Sequence, residues 1–190
     1  MCFSFEVSIG TFLVSWGISI YLLNKGLNIK QKQNIIFLMI FSSMQLADAI
    51  LWYNGMKKNN INYITTSFII PLILSLQILY NVYIRNNNKN IFLTLIVILV
   101  ILCIFFRFNG YSDSLCNNKL SSPVWGSKEL RIWELVLFSI LILYPINHQA
   151  KDRIIILLSG IIAIMIGGGC SGSLWCAIAN IISLYYLYKY

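Results

Sequence analysis

Long apolar runs broken by short clusters of Lys, Asn and Gly make up most of this chain. A helix that crosses the hydrocarbon core of a bilayer needs about 20 mainly apolar residues, with a range of about 17–25. Seven runs approach that template, at about 7–23, 34–53, 61–83, 91–106, 129–145, 153–168 and 173–188. The pattern predicts an all-α, polytopic membrane protein: a single transmembrane domain over residues 1–190, built as a bundle of about seven helices. Pro71 in the third run predicts a kink, because proline removes a backbone N–H and crowds the carbonyl four residues earlier. Gly167-Gly168-Gly169 must divide the last long stretch, since no single span could reach Tyr188. The longest connection, 107–128, holds Asp113, Cys116, Pro123 and Trp125 without periodicity and reads as a functional loop or lid.

Polar positions inside the runs fall on stripes. In the first helix Ser8, Thr11, Ser15 and Ser19 recur at helical spacing, the signature of close packing against a neighbour, which small residues favour in membranes. In the second, Ser42, Gln45, Asp48 and Trp52 lie within an arc of roughly 120°. In the last, Ser173, Cys176, Asn180 and Ser183 share a face, and the tyrosines that follow read as an interfacial belt. Asp48 is the one acid that sits unambiguously within a run. An ionisable group there costs about 2.5–3.5 kcal/mol on insertion scales and marks a functional site by default.

Composition agrees with the pattern. Hydrophobic residues make up 58% of the chain and charged residues only 11%, with a mean hydropathy of +0.76. A soluble domain would have roughly a quarter of its residues charged. The net charge of +8 does not imply nucleic acid, because the basic residues lie in short loops, where they set topology and meet anionic headgroups. Lys25, Lys30, Lys32, Arg85, Lys89, Lys151, Arg153 and Lys189 collect on one side. Lys57, Lys58, Arg107, Lys119, Lys128 and Arg131 collect on the other. The first side is slightly richer, which favours an N-terminus outside and a C-terminus in the cytosol. The opening residues carry Glu6 and no positive cluster, so the first run is expected to stay as a helix rather than be cleaved. The abundance of Ile and Asn suggests an AT-rich genome, such as that of a large DNA virus or a parasite. The bilayer would then be a host or viral membrane.

That orientation gathers the reactive groups at the non-cytosolic face. Cys2, Cys116, Cys170 and Cys176 fall there or just beneath it, where paired cysteines are most often disulfides and four allow three pairings. No CxxC spacing supports thiol redox or soft-metal chemistry. Cys103, within the fourth run, reads as a small buried hydrophobe. The single histidine, His148, lies in a loop, and the only lysine near the end of the last run is Lys189, which argues against intramembrane zinc and retinal chemistry. What remains is a polar pocket. Gln45, Asp48 and Trp52 could meet Ser173, Cys176 and Asn180, with Glu134 near, around a proton, cation or small polar ligand. The plainer alternative is a neutral, hydrogen-bonded Asp48 that only ties helices together.

Met1-Cys2-Phe3-Ser4, Gln45-x-x-Asp48-x-x-x-Trp52 and Gly172-Ser173-Leu174-Trp175-Cys176 together resemble a family of small seven-helix membrane proteins from bacteria, some eukaryotes and large DNA viruses. Its members open with Met-Cys-Phe-Ser and carry Gln-Gln-x-x-Glu-Gly-x-x-Trp in the second helix. Here Met44 replaces the first Gln, Asp48 the Glu and Ala49 the Gly. The resemblance implies the seven-helix fold and a grouping of Cys2, Gln45, Asp48, Trp52, Trp175 and Cys176. It implies no activity, since none is established for the family.

The expected function is small-ligand or ion binding or transport at this outer-leaflet pocket, rather than an enzyme. Alternatives are an exofacial thiol-redox or metal-binding enzyme and a structural or host-interaction membrane protein. No cofactor and no resident metal are expected. The expected partners are the lipid bilayer, a small polar ligand or cation, and another copy of the chain. Asp48 and Glu134 would both lie in the outer leaflet, Asp48 about 9 Å below its helix end.

Overall fold

The computed structural model of the protein describes residues 4–87, 89–117, 120–126, 132–144 and 179–190. Helix dominates them. Helix α1, Phe5–Leu23, starts at Ser4, whose extended backbone and hydroxyl cap the Val7 N–H. Its buried face is Ser8, Ser15, Ser19 and Leu22, while Val7, Leu13, Val14, Ile20 and Tyr21 are exposed. Small polar residues face the neighbours and large apolar ones face outward, the reverse of a helix in a water-soluble protein.

Helix α2, Ile29–Ser42, begins five residues before the apolar run does. Asn28 and Gln31 form a capping box: the Asn28 side chain accepts from the Gln31 N–H, and the Gln31 side chain accepts from the Asn28 N–H, both at 2.9 Å. The cap holds a first turn that carries Lys30 and Lys32, so these basic residues are helical. At Ser42 and Ser43 both hydroxyls donate to the Met39 carbonyl, at 3.2 and 2.8 Å. Such back-bonding competes with the helical ladder. Here it marks the joint between α2 and α3, Met44–Tyr53.

A tight turn ends α3. Gly55 and Met56 both take left-handed backbone angles (φ 60° and 55°), and Met56 is buried with its N–H on the Leu51 carbonyl. Asn54 and Asn59 clasp each other across the turn by paired amide bonds of 2.9 and 2.8 Å.

The next helix runs from Asn60 to Arg85 in four segments: α4, Asn60–Ile64; π1, Thr65–Ile69; α5, Ile70–Leu79; and π2, Tyr80–Arg85. The wide turn π1 sits directly before Pro71, and the Ile70 N–H reaches back to the Thr65 carbonyl. Pro71 can neither donate nor lie close to the Ser67 carbonyl, and a widened turn relieves both problems. The same widening turns Thr65, Thr66 and Ser67 inward together, all buried.

Helix α6, Ile91–Arg107, closely follows the predicted run. The chain then folds back on α4. Asn62 donates to the Ser112 carbonyl at 3.0 Å and accepts from the Ser112 N–H at 2.8 Å. Thr66 meets the Ser112 hydroxyl at 2.7 Å, and Ser67 pairs both ways with Gly110. A β-hairpin follows, β1, Asp113–Asn117, antiparallel to β2, Leu120–Val124, with Asp113 opposite Val124 and Asn117 opposite Leu120. The connection expected to be a structureless loop in an all-α chain is therefore partly β. Pro123 fits because each strand of a two-stranded sheet is an edge.

Helix α7, Ile132–Leu143, and helix α8, Ala179–Lys189, complete the described elements. All of the predicted sixth helix, 153–168, and the first part of the seventh lie outside the described residues. Asn81 donates to the Leu141 and Tyr144 carbonyls at 2.7 and 2.8 Å, and so satisfies the end of α7. Arg85 donates to the Asn81 side chain and lies over the Phe37 ring.

These contacts sort the helix ends into two groups. The starts of α1, α4 and α7, the ends of α3 and α6, and the hairpin lie together. The ends of α1, π2, α7 and α8 and the start of α2 lie opposite. Among the described residues three helices, Phe5–Leu23, Ile29–Tyr53 and Asn60–Arg85, are long and apolar enough to cross a membrane. At 17 residues α6 is equally apolar but shorter.

Candidate ligand site

Gln45 and Asp48 lie one turn apart on α3, and both are completely buried. Their face of α3 packs on α1. A ring contact of 5.5 Å between Phe5 and Tyr53 fixes one level of that antiparallel pair. Further in, the Thr11 hydroxyl bonds to Gln45 Oε1 at 3.0 Å. The stripe of small residues on α1 is what lets the two backbones come this close. Ser8 lies between these two levels on α1.

A partner for Asp48 comes from the residue that follows the hairpin. The Trp125 indole Nε1 donates to Asp48 Oδ1 at 2.8 Å. Three features aim Trp125 at this point. Its ring packs against Phe108, with centroids 6.3 Å apart. Gly126 follows with φ 82°, and a Cβ there would lie 2.9 Å from Phe108 Cα and 3.0 Å from the Arg107 carbonyl oxygen. Lys58 pairs with Asp113 across the start of the hairpin, 3.3 Å apart and well exposed, an attachment of small energetic value.

On these paired stretches of α1 and α3 two buried polar atoms have no hydrogen-bond partner among the described residues: Ser8 Oγ and Trp52 Nε1. Trp52 is one turn beyond Asp48 on the same face. An unpaired buried polar group costs about 1–3 kcal/mol, so each of these atoms calls for a partner beyond those the described residues give it. With Trp125, these stretches offer one carboxyl, one amide, two hydroxyls and two indole N–H groups. An ionised carboxylate only accepts hydrogen bonds, whereas the indoles only donate. Such a set can hold a cation or a small molecule with both donors and acceptors.

The other residues singled out in the sequence divide as follows. Glu134 makes a largely buried ion pair with Arg107, Nε to Oε1 2.8 Å. Asn180 accepts from the Ser15 hydroxyl at 2.6 Å, one turn along α1 from Thr11. It ties α8 to the same stripe at a different level. Cys2, Cys170, Ser173, Trp175 and Cys176 lie outside the described residues, and Cys116 is placed only as a backbone position in β1, opposite Ser121. Cys103 is a half-buried free thiol on α6. Among the described residues no three His, Cys, Asp or Glu side chains group as metal ligands.

The sequence pattern left Trp125 without a role and favoured close packing over a polar pathway for Ser8 and Thr11. The available signal for Trp125 was a large aromatic in a loop otherwise rich in small and polar residues. No protein-family model, curated protein or solved structure matches the chain.

Proposed function

We propose that the chain is a multi-pass integral membrane protein of about seven helices that binds a small polar or cationic ligand around Asp48, beneath the hairpin. The observation that carries this reading is the bond from Trp125 to a fully buried Asp48, on a helix pair where Ser8 Oγ and Trp52 Nε1 have no partner among the described residues. A carboxyl at that depth is costly, and the group closing it comes from the residue after a hairpin rather than from the rigid bundle. A site so built can open without disturbing helix packing.

Membrane insertion is supported by the outward faces of the helices. Leu13, Ile20, Leu72, Leu95, Ile98, Leu102 and Phe106 are all exposed, a surface suited to lipid. Helices α1 and α8 run in the same direction, by the Ser15–Asn180 and Asn34–Tyr190 bonds. An odd number of crossings has that property, which agrees with seven. The hairpin end would face outside, by the modest excess of Lys and Arg at the opposite end.

The test is a titration of the detergent-purified full chain with sodium, potassium, ammonium and guanidinium ions, followed by tryptophan fluorescence. Trp52 and Trp125 flank Asp48 and report on it. A saturable change in the native chain that Asp48→Asn loses, with its helix content intact, is the expected result. An Asp48→Asn chain that responds as the native one does rules the site out. A second reading has support in the same bond: Trp125 and Asp48 form a clasp that only holds the hairpin down. On that reading no ion produces a saturable response.

A further inference from the structure

Beside the polar face of α3 lies an apolar one. Leu46, Ala49, Ile50 and Tyr53 recur at helical spacing and, with Phe5 and Ile9 of α1, form a groove open to the outside of the bundle. Its volume is about 610 Å³, within the range of about 300–1,000 Å³ typical of small-ligand sites. The small Ala49 side chain is buried at its floor, while Leu46 and Tyr53 rise as exposed walls.

One end of the groove is polar and preorganised. Asn54, Lys57 and Asn59 form it. The left-handed turn at Gly55 and Met56 and the Asn54–Asn59 clasp fix the backbone under Lys57. Lys58 is engaged by Asp113, whereas Lys57 has no acidic partner among the described residues and no acid lines the groove. Glu6, the nearest acid on α1, is bonded to the Ser4 hydroxyl instead. An apolar trough that ends in one unpaired ammonium, held beside the Asn54–Asn59 clasp, is complementary to an acyl chain that ends in a phosphate.

We propose that this groove binds an anionic phospholipid of the surrounding bilayer, the acyl chain over Ala49 and the phosphate at Lys57. The inference rests on the membrane reading above, but not on the Asp48 ligand site. Tyr53, exposed at the mouth, belongs at the headgroup level, where tyrosine collects.

The experiment uses the full chain in nanodiscs of phosphatidylcholine carrying either a photoactivatable phosphatidylglycerol or the matching phosphatidylcholine, with adducts mapped by mass spectrometry. Phosphatidylglycerol adducts should concentrate on the groove residues. Lys57→Glu should reduce them about fivefold or more, given the contribution of one basic residue at an anionic headgroup, and Lys57→Arg should retain them. Phosphatidylcholine labelling should not change. Ala49→Leu, which fills the floor, should lower both. Equal labelling by the two lipids, indifferent to Lys57→Glu, overturns the proposal and indicates ordinary boundary lipid. Alkaline carbonate extraction of the same variants separates the two readings. A chain retained in membranes leaves the membrane reading intact whatever the labelling result. A chain that carbonate extracts overturns both.

Discussion

At the scale of single residues, magnitudes decide which polar contacts matter. Arg107 and Glu134 are nearly buried, so removing one partner strands the other charge. Glu134→Ala is expected to cost about 3–5 kcal/mol in thermal unfolding of the purified protein, and Arg107→Leu with Glu134→Leu should recover much of it. A loss under 1 kcal/mol would mean that Arg107 finds water instead. By contrast, the Ser15–Asn180 bond joins two helices that also pack over their lengths. Interhelical bonds of this kind in membranes average about 0.6 kcal/mol, so Ser15→Ala should barely shift the midpoint. Asp48 differs from both, because its partner Trp125 directly follows the hairpin's second strand. Asp48, Gln45 and Trp52 were legible in the sequence because polar groups stand out in an apolar run at helical spacing. Trp125 was not, because a bond between residues 77 positions apart leaves no local pattern.

At the scale of elements, apolar periodicity located the helices well where the capping chemistry agreed with it. For α6 the run and the helix coincide to within a residue. For α2 they differ at the start, because the Asn28–Gln31 capping box draws Lys30 and Lys32 into the helix. At Pro71 the expected kink takes the form of a π-turn, whose consequence is the inward trio Thr65, Thr66 and Ser67. The hairpin was missed because its strands are only five residues long and their sequences, Asp-Ser-Leu-Cys-Asn and Leu-Ser-Ser-Pro-Val, do not alternate. Asn62 and Ser112, 50 positions apart, hold the start of that hairpin and were likewise unmarked. Gly126 is the element's tightest point. Gly126→Ala would force a Cβ onto the backbone of Arg107 and Phe108 at a positive φ. It should destabilise the hairpin by more than about 1 kcal/mol. Limited proteolysis within 113–126 should speed up while the helices stay protected, and an unchanged cleavage rate would show that the hairpin tolerates the displacement.

At the scale of the whole molecule, the bundle combines an outward apolar surface with an inward polar layer that lies toward one end. Composition and hydropathy made the first feature plain. The second depends on which helices meet, and only the tertiary contacts show that Thr11 of α1 meets Gln45 and that Trp125 meets Asp48 one turn further along α3. The central claim is that Asp48 sits in a buried site that Trp125 closes. Labelling of Asp48 by a hydrophobic carbodiimide, followed by mass spectrometry on the full chain in native membranes, tests it most directly. The native chain should label slowly at Asp48 and the Trp125→Ala chain severalfold faster, with equal amounts of each protein in the membrane. Equal labelling rates in the two chains would contradict the claim.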